Sequence, residues 1–154
     1  MEGDSMDPKL IYRRVCKKLD DRSWTYTQHD EDMVVTLSVR GEDFPIELLI
    51  HVDAKRSLLK VLSVLPVKAA EDKRVEMAVA VCAANDVLAN GNFDLNISDG
   101  KIVFRIAAPF DGGLPDETID YLIDVTCATV DHYNDKLLML NKGLLKLEQF
   151  IENI

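Results

Sequence analysis

Residues 91–110 read GNFDLNISDGKIVFRIAAPF, two alternating runs around an Asp-Gly pair. Asp99-Gly100 predicts a two-residue hairpin turn of type I′, which needs positive φ at both central positions. Folding about that pair sets Ile97 against Ile102, Leu95 against Phe104 and Phe93 against Ile106. All six then face one side, while Asp94, Asn96 and Ser98 lie on the other with Lys101, Val103 and Arg105. Turn chemistry and burial agree, so the stretch reads as framework. Its inner face leaves no polar side chain for catalysis.

The same alternation appears upstream. In Met33–Val39 the residues Met33, Val35, Leu37 and Val39 share a face, and in Phe44–Val52 so do Phe44, Ile46, Leu48, Ile50 and Val52. A turn at Gly41-Glu42 pairs Val39 with Phe44, Leu37 with Ile46 and Val35 with Leu48, inward against inward. Leu58–Leu65 is apolar on both faces and reads as a central strand closed by Pro66; Trp24–Gln28 is a further candidate.

Helices flank these strands. Asp7-Pro8 is a start signal, after which Ile11, Tyr12, Val15, Cys16 and Leu19 form an apolar arc opposite Lys9, Arg13, Arg14, Lys17 and Lys18. A second helix is expected over residues 70–89. Met77, Val81, Ala84 and Leu88 point one way and Val75, Val79 and Cys82 roughly the other. A helix apolar nearly all round is buried on two sides; here one side would face the sheet and the other a second copy.

Pro115 opens the last helix, with Asp116 and Glu117 at the positive end of its dipole. Ile123, Thr126, Val130, Tyr133, Leu137, Leu140, Leu144, Leu147, Ile151 and Ile154 recur at alternating steps of three and four, a heptad-like seam. That regularity predicts one helix running through Gly143, so that residues 141–154 extend it as a tail. The fold class is therefore α+β: an antiparallel sheet of about five strands with helices packed on it, in the order α-β-β-β-α-β-β-α. Residues 1–154 read as one domain, with residues 1–6 a disordered leader.

Composition excludes several functions. The net charge is −9, whereas phosphate binding calls for a basic footprint; nucleic acid is not an expected partner. No apolar run approaches the ~20 residues that span a bilayer, and the N-terminus has no signal-peptide pattern. A cytoplasmic protein is expected. Cys16, Cys82 and Cys127 have no zinc spacing and read as reduced, buried thiols.

No motif supplies catalytic, cofactor-binding or metal-binding residues. His29, His51 and His132 are isolated. Gly112-Gly113 is followed by no Lys-Ser/Thr and is not a phosphate loop. The sharpest polar feature is the row Asp116, Asp120, Asp124, Asp131 and Asp135 on one arc of the last helix. It reads as a solvated face; if it binds anything, the basic face of the first helix is the nearest candidate.

With these features in place, residues 24–140 resemble the YbjN family, bacterial proteins described as sensory transduction regulators with a type III secretion chaperone-like fold. The resemblance rests on Asn85 near the end of its helix, the Gly91-Asn92-Phe93 entry, the Asp99-Gly100 hairpin, Gly112-Gly113 and the helix ending near Tyr133. It implies no enzymatic activity and no catalytic residue, but a domain acting through protein contacts. Secretion chaperones of that fold are small, acidic, dimeric binders of partly unfolded clients.

The first functional expectation is thus a non-catalytic interaction module, a homodimer binding a protein partner as a chaperone-like or regulatory adaptor. Met77, Val81, Ala84, Leu88, Leu144, Leu147 and Ile151 are its candidate dimer or partner surface. The second is a small-molecule sensor holding its ligand between the sheet and the C-terminal helix.

Overall fold

The computed structural model describes residues 6–154; the expected leader lies outside them except for Met6, whose side chain packs against the core. Helix α1 spans Pro8–Asp21, capped by Asp7, whose carboxylate accepts from the Lys9 amide at 3.0 Å. Strands β1 (Thr27–His29), β2 (Val34–Val39), β3 (Ile46–Asp53) and β4 (Leu58–Lys68) follow. After a 3-10 turn come α2 (Arg74–Val87), β5 (Asn92–Leu95), β6 (Lys101–Pro109), α3 (Asp116–Asn141) and α4 (Leu147–Glu152). All six strands join one antiparallel sheet in the order β1-β2-β3-β4-β6-β5. The helices pack on one face of it, and the core lies between.

The predicted faces hold, but both hairpin registers are shifted by two residues. Phe93 pairs with Phe104 and Leu95 with Ile102; Val39 pairs with Ile46, Leu37 with Leu48 and Val35 with Ile50. A slip of two keeps every side chain on its side, so alternation cannot detect it.

Tertiary contact lengthens the loops instead. Of the pair Asp99-Gly100 only Gly100 has positive φ, +80°, which rules out type I′. The Gly100 amide donates to the Asn96 carbonyl at 2.7 Å and its carbonyl accepts from the Ala69 amide at 2.8 Å. Ile97 is consequently pushed out of the ladder and exposed. In the other loop the Asp131 carboxylate accepts from the Glu42 amide at 2.8 Å, tying residues 40–45 to α3.

Pro66 does not end its strand. The β4–β6 ladder is irregular between Val64 and Lys68, where a missing N–H costs nothing. Val67 and Ala69 go on burying their side chains beyond it.

The expected continuous last helix breaks at Gly143. Its φ is +75°; the Leu144 amide donates to the Met139 carbonyl at 2.8 Å and the Gly143 amide to the Leu140 carbonyl at 3.1 Å. These are the paired bonds of a Schellman end, which satisfy carbonyls that a fraying terminus would leave open. The seam holds from Ile123 to Leu140 and then changes phase: Phe150 is buried, while Leu144 and Ile151 are exposed.

Candidate functional site

The seven residues expected to form a partner surface separate into three groups. Met77, Val81 and Ala84 are buried within the single chain and are not available to a partner. They pack toward the sheet with Ala80, whose small size, like that of Ala84, lets the helix lie close. Leu88 and Leu147 are half-buried against the core. Leu144 and Ile151 are 70% and 43% exposed.

The opposite side of α2 is the one left open. Val75 is 78% exposed and Val87 54%, with Val79 and Cys82 also exposed between them. Their steps of four and three place Val75, Val79 and Cys82 on one stripe. Burial of α2 on two sides is thus met on one side only. Both stripes are apolar, so hydropathy alone does not say which one turns inward.

One tether and a neighbouring groove gather further apolar side chains at the start of this helix. The Arg74 guanidinium donates to the carbonyls of Ile97 at 3.2 Å and Ser98 at 2.9 Å, seating the hairpin loop beside Val75. On the other flank Lys73 and Glu76 line a groove with Leu145 and Leu147, where Gly143 leads into Leu144. Ile97, expected to face inward, and Leu144, expected on the partner surface, are both exposed; loop geometry puts them there.

Asn85 anchors the helix from beneath. Its amide nitrogen donates to the Phe93 carbonyl at 3.0 Å, and its oxygen accepts from the Phe93 amide at 2.7 Å. One side chain thereby pairs the free backbone edge of β5, a position that would otherwise invite another strand. Asn141 does the same for residues 68–70, donating to the Lys68 carbonyl and accepting from the Ala70 amide.

The acidic row is largely taken up within the chain. Arg14 meets Asp116 at 2.7 Å, Lys18 meets Asp120 at 3.0 Å, and Arg22 bridges Asp120 at 3.0 Å and Asp124 at 2.8 Å. The constant separation of 102 residues means that α1 and α3 run parallel. Hydrogen bonds from Arg14 and Lys18 hold the carboxyls of Asp116 and Asp120, respectively, below the usual range. Asp131 caps the residue 40–45 loop; Asp135 has no ion pair among the described residues.

The histidines remain apart. His29 bonds Thr36 at 3.1 Å on the edge of the sheet. His132, its pKa lowered by burial and then by the neighbouring Lys136, lies 3.1 Å from that ammonium on the outer side of α3. His51 sits on the open face of the sheet. Among the described residues no three His, Cys, Asp or Glu side chains are placed to hold a metal ion. No described helix is long and apolar enough to cross a membrane. Cys16 is buried as expected, but Cys127 is only half-buried and Cys82 is exposed.

The space between sheet and long helix, expected to hold any ligand, is filled. Ile119, Leu122, Ile123, Val130 and Leu137 are each at most 1% exposed. Thr126, the polar member of the seam, turns its hydroxyl back onto the Leu122 carbonyl at 2.7 Å.

Solved structures share this architecture. YbjN from E. coli is similar with a TM-score of 0.60 at 12% identity, over 85% of this chain and 91% of its own. A chain of the ExsC–ExsE complex gives 0.62 at 12% identity, over 86% and 97%. A chain of the HopA1–SchA chaperone–effector complex gives 0.57 at 12% identity, over 84% and 98%. At that identity the likeness is one of fold. No curated protein sequence matches significantly. The YbjN family model, described as "Putative bacterial sensory transduction regulator", matches residues 12–139. It takes in the first helix from Tyr12 onward as well as the stretch from Asn85 to Tyr133, and stops two residues before the end of α3. The chain belongs to the YbjN family.

Proposed function

We propose that this chain is a non-catalytic protein-interaction module of the bacterial cytoplasm, a homodimer that holds a protein partner as a chaperone-like or regulatory adaptor. The observation that carries the reading is the bare stripe on α2, with Val75 78% and Val79 44% exposed in a single copy. A fully covered Val is worth about 1.5–3 kcal/mol relative to an exposed one, so several together favour a partner of the same apolar character. A second copy supplies such a face by symmetry, since a two-fold interface sets one patch against itself. The fold is shared with chaperone–effector complexes, which supports a protein as the further partner.

Exposed Cys82 lies on the stripe and reports on it. In the dimer, Cys82 of one copy lies near Cys82 of the other, so a short bis-maleimide cross-links two chains. Cross-linking is expected to vanish in Val79→Glu, whose folding is checked by circular dichroism. A wild-type chain that gives no cross-linked dimer and sediments as a monomer at tens of micromolar contradicts the dimer.

A further inference from the structure

All helices cover one face of the sheet, which leaves the other face to be accounted for. Cross-strand register lays two neighbouring rows on that open face. His51, Lys60 and Ala107 form one row; Leu49, Leu62, Arg105 and Asn92 form the next. Beside β5 the rows are bounded by the Asn90-Gly91 turn, making a groove of about 400 Å³. That lies within the roughly 300–1,000 Å³ range of small-molecule sites.

Its lining has a definite character. Leu58, Leu62 and Ala107 supply an apolar floor, while Lys60, Arg105 and the Asn92 amide supply donors around it. No carboxylate lines the groove, although the protein carries 27 acidic residues and a net charge of −9. Each cation is anchored by one carboxylate outside the lining: Lys60 by Asp53 at 2.7 Å, Arg105 by Asp94 at 2.6 Å. Lysine has three donors and arginine five, so each keeps donors to spare. Anchoring also removes part of the side-chain entropy that a ligand would otherwise have to freeze.

We propose that this groove on the open face of the sheet is a binding site for a small amphipathic anion, an apolar body carrying one carboxylate or phosphate. The body rests on Leu58, Leu62 and Ala107, and the anion takes the spare donors of Arg105 and Lys60. The site is independent of the α2 surface, because it uses the face of the sheet that carries no helix.

Sodium decanoate below its micelle concentration is a direct probe, titrated into full-length protein while backbone amide shifts are followed. Saturable shifts at Leu62, Arg105 and Ala107 are expected, with decanol and inorganic phosphate each weaker by about tenfold or more, since each lacks half the complementarity. Arg105→Gln, at an exposed position, is expected to weaken decanoate about tenfold without lowering Tm. The proposal is overturned if decanoate causes no shift at millimolar concentration or shifts only the α2 stripe. It fails equally if decylamine binds as well as decanoate, or if Arg105→Gln changes nothing. Binding to phosphatidylglycerol vesicles without binding to decanoate would assign the face to a membrane surface instead, and so would also overturn it.

Discussion

Gly100 and Gly112 are both loop glycines, yet they answer to different constraints. A Cβ at Gly100 would stand 2.2 Å from the Ala69 carbonyl oxygen, at φ +80°; a Cβ at Gly112 meets nothing within 4 Å. Gly100→Ala is therefore expected to cost about 2 kcal/mol or more, and Gly112→Ala to stay within about 0.5 kcal/mol of wild type in urea unfolding. Equal midpoints for the two variants would contradict the tertiary role assigned to Gly100. Thiol reactivity makes a second contrast. Burial pushes the Cys127 thiol up to about 11, and Cys16 is covered, so at pH 8 a single fast-reacting thiol is expected in protein diluted until it is monomeric. Cys82→Ser should remove it; a fast phase surviving in that variant would place another cysteine at the surface. Asn134 is a third case. It is 1% exposed, and neither its amide nitrogen nor its oxygen has a hydrogen-bond partner. An unmatched buried amide costs about 1–3 kcal/mol. Asn134→Leu, similar in volume, is accordingly expected to raise the urea midpoint, and a lowered one would show that the amide is satisfied in solution.

Elements divide their work between burial and charge. Ile11, Val15 and Leu19 of α1 are fully buried, whereas the Arg and Lys ladder to α3 is part-exposed. Leu19→Ala is expected to cost about 2–5 kcal/mol, and Asp120→Asn under about 1 kcal/mol. The smaller effect should shrink further in 1 M salt, where the Debye length is about 3 Å. Burial thus attaches α1, and the ladder sets its direction and register along α3. The sequence points to the basic face of α1 only as the nearest candidate for a row that reads first as a solvated face. Arg14, Lys18 and Arg22 take up its first three members. What alternation and periodicity show is which face a side chain takes, and those assignments hold in every strand. Register and helix ends depend on contacts from far along the chain. Ala69 sets the loop at Gly100, Asp131 holds the loop at Glu42, and the Schellman bonds at Gly143 stop α3 where the heptad pattern runs on. The inward face of α2 was hidden for a similar reason. Two apolar stripes look alike until Ala80 and Ala84 are seen to permit close packing on one of them.

At the scale of the whole molecule, acid and association test the account. Asp53, Asp116 and Asp120 have folded-state pKa values below the ordinary carboxylate range, chiefly through hydrogen bonds from Lys60, Arg14 and Lys18. Depressed carboxyls contribute stability that is complete above their unfolded pKa of about 4 and is lost as pH falls through the lower folded values. The unfolding midpoint is therefore expected to hold from pH 7 to about pH 5 and to drop below about pH 4. A midpoint flat down to pH 2 would mean that the ion pairs are absent in solution. Association bears on function more directly, since the bare α2 stripe is the reason for reading the chain as an interaction module. Sedimentation equilibrium at tens of micromolar, comparing wild type with Val79→Glu, decides it. A dimer that Val79→Glu converts to a folded monomer is the predicted result; a wild-type monomer, or a dimer indifferent to the substitution, would contradict it.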